Sequence, residues 1–213
     1  MGLFNIFKKS TKPYKGDATN LIYDLLFCDN LDLYKNNNTQ PEVYPWNILF
    51  SESTNLSSLE KIISDDNIES RVKILVYNKM IANGQKIYNK ELFGVIVEIG
   101  LENGLDVLAS YNDGSARYIN QSGKIIVWET TDETSKFLTN KLFSDGANVI
   151  IKIGPWDQPR RQAPEKGIAR ITFLVSDGLY FGEGPITILF DDDLAGPTLA
   201  SAAELMKYLV EKT

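Results

Sequence analysis

The chain has 213 residues, 43% hydrophobic and 23% charged, which is enough apolar material to bury a core and excludes disorder of the whole. It holds no histidine and a single cysteine, Cys28, so an intrachain disulfide, a Ser-His-Asp or Cys-His nucleophile and His-ligated or thiolate-caged zinc are excluded. A net charge of −6 opposes nucleic-acid binding, and no stretch reaches the ~18–20 apolar residues needed to span a bilayer.

The charge is uneven. Residues 1–15 carry Lys8, Lys9, Lys12 and Lys15 and no acid, and removing these four from −6 leaves −10 on the remainder. The expected organisation is a basic N-terminal arm, residues 1–15, followed by one α+β domain over 16–213, helical over 17–84 and sheet-rich over 86–213. Leu3, Phe4, Ile6 and Phe7 can form an apolar face beside the lysines, suited to weak contact with a membrane surface. The same stretch is too short for a signal peptide, and Ile6 stands where the myristoylation pattern wants Ser or Thr. The expected setting is cytoplasmic. Cys28, in the run Leu25-Leu26-Phe27-Cys28, reads as a small buried hydrophobe.

In chain order, Asp17 can cap a helix with Leu21, Ile22, Leu25 and Leu26 at helical spacing. Residues 29–45, Asn-rich and with two prolines, read as a loop, and Trp46–Phe50 as a strand or buried connector. Ser57 or Ser58 can cap a short helix, and Asp66 or Asn67 a longer one with a wide apolar stripe, stopped at Gly84. Phe93–Leu101 is a β-branched, apolar strand. Asn103-Gly104 predicts a two-residue primed hairpin turn into Leu105–Tyr111, where Leu105, Val107, Ala109 and Tyr111 share a face. Turns at Asn112–Gly114 and Gln121–Gly123 add strands over 116–119 and 124–129, making a meander. Thr131 or Asp132 can cap a helix closed at Gly146. Further strands are expected over 148–153, 168–175, 179–182 and 185–190, and a last helix from Gly196-Pro197. The fold class expected is α+β: an antiparallel meander sheet of about six to eight strands, with helices packed on one face.

The stretch from Gly104 through Asp106, Tyr111, Asn112-Asp113-Gly114-Ser115 and Arg117 to Asn120, ending in Lys124–Glu129, resembles a signature of an uncharacterised, conserved hypothetical bacterial protein family of no assigned function. The resemblance covers about an eighth of the chain. It implies a bacterial origin and carries no catalytic or binding residue with it.

Three groups of residues could carry chemistry. The first is the loop over 154–167, with three prolines and two of the five arginines; Trp156, Asp157, Arg160 and Arg161 are its candidate ligand- or partner-binding residues. Arginine forks match carboxylates and phosphates, and Trp offers a stacking face. The second is Asp191-Asp192-Asp193, a conceivable Mg²⁺ or Ca²⁺ ligand set, but consecutive strand-end residues diverge, and acids before a helix favour its N-terminus. The third is Asp106, Asp113, Arg117 and Glu129 on the meander: Asp106 and Arg117 can pair across strands, Asp113 fits a turn, and Glu98 could approach Glu129. Tyr111 and Tyr118 flank one turn and can pack or form a patch. No metal site, cofactor or catalytic residue is assigned.

These patterns favour a non-catalytic protein- or ligand-binding module of the immunity or accessory type, whose partner is another protein or a small anionic ligand. The alternative is a hydrolase or transferase that uses Asp/Glu and Arg. A pocket where carboxylates converge with Arg160 or Arg161 favours the enzyme, and a flat apolar patch favours the binder.

Overall fold

The computed structural model describes residues 12–53 and 55–213. The apolar face expected from Leu3, Phe4, Ile6 and Phe7, and most of the 1–15 arm, lie outside the described residues. Where the description begins, Tyr14 is already 6% exposed and donates its hydroxyl to the Leu105 carbonyl at 2.9 Å, so the core reaches back into the arm.

The protein is α+β. Five helices come first: α1 (Asp17–Leu25), α2 (Leu31–Asn37), α3 (Trp46–Leu49), α4 (Leu56–Ser64) and α5 (Ser70–Ala82). Then follow β1 (Leu92–Leu101), β2 (Gly104–Tyr111), β3 (Ala116–Ile119) and β4 (Ile125–Trp128), α6 (Glu133–Ile150), β5 (Ile168–Val175), β6 (Gly178–Pro185), α7 (Ile186–Phe190) and α8 (Ala195–Lys212). The six strands form one antiparallel sheet in the order β4-β3-β2-β1-β5-β6.

Helices cover both faces of the sheet rather than the one expected. Leu105, Val107, Ala109 and Tyr111 do share a face, and they pack with Tyr23, Leu59, Leu75 and Val76 from the N-terminal helices. On the other face Val95, Val97, Leu108, Ile171 and Phe173 pack with Leu142 of α6 and Leu199, Leu205 and Leu209 of α8. The reason is visible in β1 and β5. Each is buried almost end to end, and a strand that is apolar on both sides needs a layer on each.

The β1–β2 turn is offset by one residue from the expected Asn103-Gly104 pair. Leu101 pairs with Gly104, so the loop residues are Glu102 and Asn103, and Asn103 does not take a positive φ. Gly104 opens the strand at φ +153, and a Cβ there would lie 2.3 Å from the Gln121 carbonyl oxygen, so only glycine fits.

Two expected strands are helical. Residues 148–150 continue α6, because Gly146 lies inside that helix rather than ending it: a Cβ there would sit 3.1 Å from Phe173. Residues 186–190 form α7. The last β5–β6 pair is Ile168 with Pro185, so beyond it no β5 backbone remains to pair with. The supposed loop at 29–45 contains α2, whose Asn30 side chain accepts from the Leu33 N–H at 3.1 Å, and Trp46–Leu49 is one more helical turn. The caps also differ: Gly16 rather than Asp17 precedes α1, Asn55 caps α4, and α8 begins at Ala195. Asp132 caps α6 in a capping box, and Gly84 follows α5 with the Schellman pair Gly84 N–H to Ile81 O and Gln85 N–H to Met80 O.

Among the described residues, no helix is long and apolar enough to cross a membrane.

Candidate functional site

The central feature is a row of charges across three strands. Register places Glu98 of β1 beside Arg170 of β5, and Arg170 beside Glu183 of β6. Side chains directly opposite in antiparallel strands meet on one face. Arg170 reaches Glu98 at 3.4 Å and Glu183 at 2.5 Å. The side chain of Glu98 is fully buried and that of Arg170 is 4% exposed. Tyr23 of α1 donates its hydroxyl to Glu98 at 2.6 Å from the helical side. Burial pushes the Glu98 carboxyl up, against the opposing pull of Arg170 and Tyr23, and burial together with Glu98 pushes the Tyr23 phenol up.

The loop 154–167, which links α6 to β5, straps over this row. At its start, Trp156 donates its backbone N–H to the Leu179 carbonyl at 2.7 Å and so pairs with the outer edge of β6. Covering that edge removes exposed strand backbone. At its end, the Gly167 N–H donates to the Gly100 carbonyl at 2.8 Å. The strap crosses β1 so closely that a Cβ on Gly100 would lie 2.0 Å from the Glu165 carbonyl oxygen. Between these anchors, Arg170 donates to the carbonyls of Gln162 at 2.5 Å and Arg161 at 3.4 Å.

The structure gives both loop arginines internal partners. Arg160 donates through Nε to Asp29 at 2.8 Å and through an Nη to Asp24 at 2.9 Å. Its guanidinium lies 3.9 Å from the Phe27 ring centre and 5.6 Å from that of Tyr23. Burial opposes its charge, but Asp29 and Asp24 outweigh burial and hold the guanidinium above its already high pKa. Arg161 reaches Glu183 at 2.8 Å and lies over Trp156 and Phe181, whose rings meet edge to face at 5.0 Å. Asp157 is exposed at the tip, where the Gln158 amide donates to it at 3.2 Å. Of the four candidates, Arg160 and Arg161 line the adjoining cleft, Trp156 sits beneath Arg161, and Asp157 stands apart.

That cleft has a volume of about 750 Å³. One wall, from α1, α2 and the segment between them, carries Asp24, Asp29 and Asp32, with Lys12 also on the lining. The other carries Gln158, Arg160 and Arg161. Tyr23 stands at its floor, with Glu98 buried behind. Sequence reasoning missed Asp24, Asp29, Glu98, Arg170 and Glu183 as parts of one site. A signal was present: Glu98 and Arg170 are lone charges inside two otherwise apolar strands, a pattern that calls for pairing.

The meander charges pair differently from expectation. Arg117 is bound to Glu129, not to Asp106, which accepts from the Tyr118 hydroxyl at 3.1 Å and the Gln121 N–H at 2.6 Å. Glu98 and Glu129 thus each have their own arginine. Asp192 accepts from the N–H groups of Leu194 and Ala195 at 2.9 and 2.8 Å, so it serves the start of α8. Among the described residues, no three His, Cys, Asp or Glu side chains are grouped to hold a metal ion. Cys28 is buried, and its thiol pKa is pushed up to about 12 by that burial. No protein-family model and no curated protein matches the chain.

Proposed function

We propose that the chain is a non-catalytic binding module that engages another protein through the cleft between the 154–167 strap and α1–α2. One observation carries the reading: the arginines of the cleft are already matched, Arg160 to Asp24 and Asp29 and Arg161 to Glu183, while the carboxyl with a raised pKa, Glu98, has no exposed surface. General acid–base catalysis needs a titrating group within reach of substrate. Here Tyr23 stands between that group and the cleft. What the cleft offers is a rim of paired charges, which suits recognition.

The second reading, a hydrolase or transferase, draws on the convergence of Asp24, Asp29 and Asp32 with Arg160 in one cleft. The two readings part in one experiment. A photo-crosslinking residue replaces Gln158, exposed on the cleft wall, or Lys207, exposed on α8, in the native cells. A discrete adduct from position 158 and none from 207, abolished by Asp24→Asn with Asp32→Asn, supports the binding module. Turnover of an ester, phosphate or glycoside substrate that Glu98→Gln or Asp24→Asn abolishes in folded protein overturns it in favour of the enzyme.

A further inference from the structure

Arg160 occupies a box supplied by seven consecutive positions of the chain. Tyr23 and Phe27 present rings at 5.6 and 3.9 Å from the guanidinium carbon, and Asp24 and Asp29 present one carboxylate oxygen each at 2.9 and 2.8 Å. Two carboxylates and an aromatic face are the chemistry that recognises a guanidinium. The box does not depend on Arg160 for its shape, because Phe27 and Tyr23 are buried in the core of the helical side. Its charge is also not balanced by Arg160. The cleft is lined by three acids, Asp24, Asp29 and Asp32, and three cations, Lys12, Arg160 and Arg161; Lys12 pairs with Asp17 and Arg161 with Glu183, which leaves Arg160 as the cation held by the acids of the α1–α2 wall, on a chain whose residues beyond the first 15 carry −10. An anion entering here would have to strip Arg160 from two carboxylates. A cation finds carboxylate oxygens to spare.

We propose that Tyr23, Asp24, Phe27 and Asp29 form a guanidinium-recognition box, that Arg160 is its resident occupant, and that the cleft takes an arginine-bearing segment of a partner protein, which competes with Arg160 for the box. The proposal rests on the binding reading above and names the partner's chemistry. The strap suits such an exchange. It is anchored at Trp156 and at Gly167, while Asp157, Gln158 and Pro159, just before Arg160, are exposed. The backbone on either side of Arg160 is held as well, by Trp156 at the Pro159 carbonyl and by Arg170 at the Arg161 and Gln162 carbonyls, so Arg160, whose side chain is 20% exposed, leaves the box by rotation of its own side chain. A free guanidinium compound shares this chemistry, but a cleft of about 750 Å³ exceeds what one guanidinium and its stem fill, and it fits several residues of a peptide.

The test is calorimetric titration of the full chain, wild type and Arg160→Met, with three probes: a terminally blocked Gly-Arg-Gly tripeptide, its citrulline counterpart of equal shape and no charge, and agmatine. Arg160→Met keeps an apolar stem over Phe27 and vacates the carboxylates. The arginine tripeptide is expected to bind Arg160→Met at least about tenfold more tightly than wild type, the factor carried by 1.4 kcal/mol, and to lose that gain when Asp24 and Asp29 are both changed to Asn. If Arg160→Met does not fold, Arg160→Lys keeps charge and stem without the fork, and it must likewise bind the arginine tripeptide more tightly than wild type. Equal binding of the arginine and citrulline tripeptides, or no gain over wild type, overturns the box. Tighter binding of agmatine than of the tripeptide overturns the peptide as the source of the guanidinium. The Gln158 adduct does not depend on which chemistry fills the box. Its absence overturns the binding module, whereas absence of arginine selectivity overturns the box alone.

Discussion

Asp113, in the turn between β2 and β3, caps α5 from 43 residues away: its carboxylate accepts the Ser70 backbone N–H at 2.7 Å, and its own N–H donates to the Ser70 hydroxyl at 3.1 Å. The position before the helix, Glu69, makes no side-chain cap of its own, so the sheet supplies what the helix lacks. Ser115 adds two further donors to the same carboxylate, at 2.7 and 3.0 Å.

Loss of this cap is the first expected effect. Asp113→Ala should destabilise the protein by about 1–2 kcal/mol, the range for a lost N-cap, read from urea unfolding at neutral pH. Burial raises the Asp113 pKa, but the bonds from Ser115 and Ser70 outweigh it and the net shift is downward. A carboxyl lowered on folding contributes stability above its unfolded value, and that contribution is lost as pH falls through the folded value. The gap between wild type and Asp113→Ala should therefore narrow below about pH 4. A gap that holds constant into acid would show that the carboxylate charge plays no part.

Arg170→Met strands Glu98, which is fully buried and keeps the Tyr23 hydroxyl as its hydrogen-bond donor among the described residues. Breaking a buried pair from one side costs about 3–5 kcal/mol. Glu98 has the opposite sign to Asp113. Its pKa is raised on folding, so its contribution is present below the ordinary Glu value and lost as pH rises through the folded one. The deficit of Arg170→Met should thus be largest near neutral pH and shrink toward about pH 4, where Glu98 can take a proton. Unfolding curves at the two pH values check this, and an equal deficit at both would place the cost outside the ion pair.

Gly100→Ala pushes a methyl group into the strap, where the Glu165 carbonyl leaves 2.0 Å. Overpacking of this kind costs about 1–3 kcal/mol, and here it should lift the 162–167 segment off β1. Trypsin cleavage after Arg161 is the readout. Opening made easier by about 1.4 kcal/mol speeds cleavage about tenfold. Unchanged cleavage in a folded variant would mean that the strap is not seated on Gly100.

Cys28 should resist thiol reagents in the native state. It is fully buried, its thiol pKa is pushed up to about 12 by burial, and the thiolate is the reactive form. Modification at mild alkaline pH should follow the unfolding rate of the chain. Rapid labelling of folded protein would contradict the burial.

The sequence by itself determined the α+β class, the run of antiparallel strands from 93 to 128 and the start of α6 at Thr131 or Asp132, because each is written in neighbours: alternation, β-branched runs, turn residues and cap spacing act over a few positions. It also made the 154–167 loop stand out by its prolines and paired arginines. Tertiary structure alone decided whether 148–150 and 186–190 become strand or helix, because a strand exists only where another strand lies beside it, and β5 ends at Ile168 opposite Pro185. It also decided that both sheet faces are covered. The charge partners are the clearest case. Arg160 meets Asp24 across 136 positions, and Glu98 meets Arg170 across 72. No local pattern encodes such pairings; they follow from register and from where the strap crosses the sheet. The candidate site was therefore half legible: the arginines announced themselves, but the carboxylates that hold them came into view only once the chain was folded.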